Sequence, residues 1–208
     1  MRLSALLLIL CLLHCSADVR QVPLRRPFPA PQPGGKVLYI GIFDIISSER
    51  EEMVVPMKES FRSFLQSERY FADVRDLMND AGAVGKEDLI IDIRIGMQLD
   101  ESYNWWYSWP GVYPFSAYWP FQGRQARYRT EMDVQVNGLS EQPIRFMCSR
   151  SNTDSVLFYG FFRVAWIESI IAQTNLEIFD ECSRRIVQTV RLYDTTTGKP
   201  SPEKPGRR

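Results

Sequence analysis

The chain has 208 residues, enough for one domain with a sizeable core, and 45% of them are hydrophobic, as in ordinary globular proteins. Twenty-five basic residues balance twenty-five acidic ones. A neutral chain offers no basic surface to neutralise phosphates, which excludes bulk nucleic-acid binding, and no polybasic route to an anionic membrane.

The first residues read as an export signal. Arg2 is a one-charge n-region and "LSALLLILCLL" an apolar h-region of suitable length. That run is short and one-sided for a spanning helix; an uncleaved anchor is the competing outcome. No later segment is long and uncharged enough to span. The best, "VLFYGFFRVAWIESIIA" at 156–172, contains Arg163 and Glu168, which hydrocarbon penalises. "LLHCSA" follows the h-region. Leu12, three places before Cys15, resembles the end of a bacterial lipoprotein signal, in which that Cys is lipidated after cleavage; His14 stands where a small residue is usual. Under the enterobacterial sorting pattern, Ser16 implies an outer-membrane destination. The alternative is cleavage after Ala17, which would release a secreted or periplasmic protein. The expected signal peptide is 1–14.

Residues 15–35 hold the Cys and a Pro-rich run ending in Gly-Gly, which predicts an extended tether. "KVLYIGIFDII" at 36–46 is a nearly continuous apolar run, suited to a buried strand. Ser48 with Glu51 fits a capping box, but Pro56 places the start of the regular helix near itself. Met57, Phe61, Phe64 and Leu65 then share one helical face. "YFADVRDL" at 70–77 allows a short strand, and 78–88 is turn-like.

Two segments alternate cleanly. In 88–99, Leu89, Ile91, Ile93, Ile95, Met97 and Leu99 share one side; in 126–136, Ala126, Tyr128, Thr130, Met132, Val134 and Val136 do. Asn137-Gly138 signals a turn. Ile144, Phe146 and Cys148 form an inner face, Asp154 is placed to cap a helical region, and Phe179, Cys182, Ile186 and Val190 line one face of the last helix. The fold class is therefore α+β. The expected architecture is a mostly antiparallel sheet of about four strands, two main helices on one face, and a long aromatic insertion between two strands. The domain is expected over 36–193, with a polar, disordered tail at 194–208.

This layout of signal, lipobox-like Cys15, Pro-rich tether and small α+β domain resembles small bacterial envelope lipoproteins. The lipopolysaccharide-assembly lipoprotein and the Tol-type auxiliary lipoproteins are similar in layout, and "LLHC" is the one residue-level motif. The resemblance implies an envelope location and a non-enzymatic, partner-binding role. It implies no catalytic residue.

The residues themselves offer little chemistry. The only histidine, His14, falls within the expected signal, which leaves no imidazole for Ser-His-Asp, Cys-His or His-zinc sites. No G-x-S-x-G, Walker loop or G-x-G-x-x-G is present. Asp100 and Glu101 adjoin the aromatic stretch as a conceivable glycosidase pair, against the simpler reading that they end a strand. Asp88, Asp92 and Arg94 are expected on a wet strand face, pairing across to Arg127 and Arg129. Cys148 and Cys182 either pair in a disulfide, as an oxidising compartment permits, or stand as two buried thiols. Cys148 lacks a base to serve as a nucleophile. Catalytic residues, metal ligands and cofactors are all expected to be none.

What remains is "SYNWWYSWPGVYPFSAYWPF" at 102–121, four of the five tryptophans within an uncharged run. It can complete the core, stay exposed at a bilayer interface or on an integral membrane partner, or stack on sugars. Trp105, Trp106, Tyr107, Trp109, Tyr113, Phe115, Tyr118 and Trp119 are the candidate contact residues. The expected partners are the bilayer, through acylated Cys15, and an envelope protein; the alternative is a glycan.

Overall fold

A computed structural model describes residues 20–27, 29, 36–47, 50–80, 85, 88–104, 121–158 and 163–196. Among the described residues, five strands and three helices follow one another: β1 (Val37–Ile46), α1 (Arg50–Ser67), β2 (Asp73–Asp76), α2 (Leu77–Asp80), β3 (Leu89–Asn104), β4 (Phe121–Asn137), β5 (Ile144–Phe158) and α3 (Arg163–Thr196). The strands form one mixed sheet in the order β2-β1-β3-β4-β5.

The class is the α+β expected, but the sheet differs from four mostly antiparallel strands. β1 pairs parallel with β2, Val37 opposite Asp73, and parallel with β3, Leu38 opposite Leu89. Parallel neighbours need a crossover, and α1 supplies it between β1 and β2. The continuous apolar run of β1 suits such a strand, covered on both edges by parallel partners. A register shift between Ile40 and Phe43 lets β1 keep both Ile40 and Phe43 buried.

α1 begins at Arg50, before Pro56 rather than near it. The ring removes one backbone hydrogen bond. What offsets that loss is burial: Met53 is enclosed and extends the face made by Met57, Phe61, Phe64 and Leu65 by one more turn. Arg69, with φ of 54°, ends the helix in the left-handed region, and its N–H donates to Gln66 O at 3.2 Å. The Asn-Gly signal also holds: Gly138 has φ of 92° at the end of β4, where an added Cβ would meet Asp88 O at 3.0 Å.

The chain divides into two compact units. The first is built on Val22–Met97, Thr130–Arg150 and Asn175–Arg208. Its core joins Leu38, Ile40 and Ile45 of β1 to Leu89, Ile91, Ile93 and Ile95 of β3 and to Met132, Val134 and Val136 of β4. The helices close it with Phe61 and Phe64 from α1, whose rings meet Phe179 of α3 edge-on at 5.1 and 5.7 Å. Of the inward positions assigned from the alternation of 88–99 and 126–136, all are buried except Met97 and Leu99, which are half-buried. The second unit is built on Gln98–Arg129 and Ser151–Thr174. There Ala126, Tyr128, Ile167 and Ile171 are buried, and Ser102 Oγ donates to Gln125 O at 3.5 Å.

α3 runs from Arg163 to Thr196, well beyond the face of Phe179, Cys182, Ile186 and Val190 at both ends. Asp154 does not cap it. It lies on β5 and accepts a hydrogen bond from Trp166 Nε1 at 2.7 Å. At the other end the expected boundary at 193 falls inside the helix, and Asp194 is buried.

Candidate functional site

The segment expected as a free tether is in part docked. Val22 packs against the core of the first unit. Ser60 Oγ donates to Pro23 O at 2.6 Å, and Arg26 N donates to Ser63 Oγ at 2.9 Å. The Arg26 guanidinium lies 4.1 Å from the centroid of Phe64 and reaches both Ser67 Oγ, at 3.2 Å, and Asp180 Oδ1 of α3, at 2.6 Å. Ser60, Ser63 and Ser67 stand at i, i+3 and i+7, so they form one stripe of α1. A helix with three serines beside its apolar face carries a second, polar seam, and the strap fills it. That spacing is visible in the sequence; what it receives is not. The serines also accept this role cheaply, because Ser63 and Ser67 turn their hydroxyl protons to Ser60 O and Phe64 O.

Beside the strap, Asp180 takes a second guanidinium from Arg184 at 2.5 Å. Burial, and then the charge of Asp180, push the Glu68 carboxyl above its usual value. A raised carboxylate pKa means that the folded state holds the proton more tightly than the unfolded chain. The favourable contribution is complete below the unfolded value and is lost as pH rises through the folded one. Glu68→Gln is therefore expected to raise the melting temperature at pH 7 and to leave it unchanged below about pH 4. Equal effects at both pH values in thermal melts would refute this.

The acids expected on the wet strand face have structural partners. Asp92 Oδ1 accepts from Ile42 N at 2.8 Å, inside the irregular part of β1, and its Oδ2 accepts from Asn137 Nδ2 at 2.9 Å. A Cβ on Gly41 would lie 2.5 Å from that Oδ1 and 3.1 Å from Ile90 Cγ2, so a larger residue there would push the Asp92 carboxylate away from Ile42 N. Asp88 accepts from Gly85 N at 2.6 Å and, at 3.4 Å, from Val37 N. The expected pairing of these acids with Arg127 and Arg129 is thus replaced by backbone and amide partners. Asp92 takes up an N–H that the irregular ladder leaves over. Asp100 accepts from Gln98 Nε2 at 3.2 Å on β3.

β3 continues to Asn104 and β4 begins at Phe121. The connection that holds the aromatic stretch read at 102–121 is therefore 105–120, between neighbours in the sheet. Trp105, Trp106, Tyr107, Trp109, Tyr113, Phe115, Tyr118 and Trp119 all fall in that connection, outside the described residues, as does Cys15. Cys148 on β5 and Cys182 on α3 are joined by a disulfide, with Cα atoms 5.9 Å apart. Among the described residues, no group of three His, Cys, Asp or Glu side chains could hold a metal ion, and no helix is long and apolar enough to cross a membrane.

A protein-family model matches residues 6–187, and the chain belongs to that family. No curated protein matches the sequence. A solved structure described as a homolog of the neuraminyllactose-binding hemagglutinin, from Helicobacter pylori, is similar in fold. It shares 14% identity at a TM-score of 0.51, over 86% of this chain and 100% of that one. The rare lipoprotein B of Shewanella oneidensis gives 13% identity and a TM-score of 0.36 over 78% and 99% of the two chains. A minor lipoprotein of Acinetobacter baumannii gives 9% and 0.35 over 74% and 94%. The first likeness is one of fold, and the other two carry no argument.

Proposed function

We propose that the protein is a lipid-anchored, non-enzymatic accessory or assembly factor of the bacterial cell envelope. It is tethered through acylated Cys15 to the periplasmic leaflet of the outer membrane. The aromatic connection 105–120 makes its contact with the bilayer or with a membrane-protein partner. One observation carries this reading: the two strands that bound the connection are sheet neighbours and run up to it on both sides. The eight candidate aromatics are thereby gathered into one uncharged connection instead of being spread over two elements. Trp and Tyr favour the bilayer interface, where a ring can be buried and its polar tip kept wet. The buried disulfide fits an oxidising compartment, as the export signal requires.

Replacing Trp105, Trp106 and Trp109 together by alanine is expected to weaken vesicle or partner association by about tenfold or more, since interfacial aromatics dominate such contacts. The melting temperature should stay within a few degrees of the parent. A variant that melts far lower would show the stretch to be core and would end the contact reading. Mass spectrometry of the mature N-terminus, beside Cys15→Ala, tests the anchor: an unmodified N-terminus at Asp18 would remove it. The Helicobacter pylori neighbour is named for binding neuraminyllactose, but at 14% identity it lends the fold alone. Quenching of Trp fluorescence by peptidoglycan fragments or lipopolysaccharide, without vesicles, would favour a glycan-binding module instead.

A further inference from the structure

The strap is held on the first unit much as a bound peptide is held. It offers Pro23 O to Ser60, its Arg26 N–H to Ser63, and one guanidinium to Ser67, Asp180 and the face of Phe64. The side chains between those contacts stay exposed, Leu24 at 88% and Arg25 beside it. Backbone groups plus a few anchoring side chains are how extended peptides are recognised. The seat also keeps its own polar groups partnered when the strap leaves. Ser63 and Ser67 donate to Ser60 O and Phe64 O within α1, and Arg184 holds the other oxygen of Asp180 at 2.5 Å. The Arg26–Asp180 side chains are 34% and 30% exposed, so water screens the pair and it holds weakly. What departure uncovers is apolar: the Phe64 ring, over which Arg26 lies, and the place of buried Pro23.

We propose that the seam between α1 and α3 is a peptide-binding seat that residues 22–26 fill in cis, and that its partner in trans is an extended segment of another protein with a proline, an arginine three residues later and a second cation directly after that arginine. The proposal does not rest on the lipid anchor. Glu68 calls for the second cation. Its carboxyl follows Ser67 in the chain and is near enough to Asp180 and Arg26 for both charges to act on it. Arg26 bonds Ser67 and Asp180, Arg184 bonds Asp180, and Arg191 lies over the Tyr70 ring. The seat thus holds two acids, and the strap brings a guanidinium to one of them. Pro27, exposed, stands where a second cation would reach the other. A strap joined to the same chain competes at an effective concentration of roughly a millimolar, so a partner wins by a contact that the strap lacks. A charge-assisted bond to Glu68 is such a contact.

The test uses the full chain in detergent micelles and two fluorescein-labelled peptides, residues 22–27 as they stand and the same segment with Pro27→Lys. In the protein, Arg26→Ala weakens the cis competitor, and the affinity for the lysine peptide should rise at least about tenfold over the parent. In that background Asp180→Asn should abolish binding. The lysine peptide should bind more tightly than the unaltered one, and Glu68→Gln should bring the two together. A second measurement needs no variant of the protein. The lysine peptide at about a millimolar should speed hydrogen exchange of the Arg26 N–H in the parent, because that N–H then leaves Ser63. Equal affinity for the parent and Arg26→Ala, binding that survives Asp180→Asn, a lysine preference that outlasts Glu68→Gln, or an Arg26 N–H whose exchange the peptide leaves unchanged would overturn the proposal. So would a dimer of the parent that Arg26→Ala dissolves, since the strap of a second copy would then be the occupant.

Discussion

Asp194→Ala is expected to destabilise the protein by about 3–5 kcal/mol, the usual consequence of removing one partner from a buried ion pair. For a chain of this size that is a fall in melting temperature on the order of 10 °C. Asp194 lies in the last turns of α3 and is almost fully enclosed. A negative charge at a helix C-terminus is unfavourable in itself, because it faces the negative end of the helix dipole. Among the groups that hold it there are an ammonium and a phenol. Lys36, just before β1, makes a short ion pair with Oδ1, and the Tyr70 hydroxyl donates to Oδ2 at 2.8 Å. Burial, and then the bond to Asp194, push the Tyr70 phenol above its usual range, so it remains a donor at all ordinary pH. Without the carboxylate, a half-buried ammonium and a buried hydroxyl lose their acceptor together. Replacing both charges, as in Lys36→Met with Asp194→Leu, should cost far less than the single change, because no uncompensated charge remains. Urea melts of the two single variants and the double variant would decide it; additive losses would show that the three groups do not act as a unit.

Breaking the Cys148–Cys182 bond, by changing both residues to alanine, is expected to cost about 3–4 kcal/mol, from the entropy that a cross-link over such a loop removes from the unfolded chain. The bond closes a loop of 34 residues. The native arrangement should survive its loss. Arg185 Nη1 donates to Met147 O at 3.0 Å, its guanidinium covers the Phe146 ring at 5.0 Å, and Arg150 pairs with Glu181 at 2.7 Å. These contacts hold β5 against α3 without the sulfurs. The effect is therefore expected in the unfolded state, with unchanged circular dichroism and a lower denaturation midpoint. A loss under about 1 kcal/mol would show that the loop is already restricted when unfolded.

The alternation of 88–99 and 126–136 and the helical faces at 57–65 and 179–190 were sufficient to name most of the first unit's core, because side-chain period alone decides which residues turn inward. The glycine turn at 137–138 was legible for a similar local reason. Period does not encode strand direction. The parallel pairing of β1 with β2 and β3 follows from where the crossover helix packs, and only the folded chain decides that. Helix ends were misplaced wherever a distant partner outweighed a local signal. Buried Met53 carries α1 back past Pro56, and the Lys36–Asp194 pair belongs to an α3 that outruns its apolar stripe. The strap is the clearest case. A Pro-rich run reads as a free tether, because nothing within it speaks of Ser60, Ser63 and Asp180, whose bonds to Pro23 and Arg26 span 37, 37 and 154 positions of the chain. By itself the sequence determined the fold class, the inward faces and the candidate lipid anchor and aromatic contact. Tertiary structure alone decided the strand directions, the partners of the buried acids and the docking of the strap, since each depends on groups brought together only when the chain closes on itself.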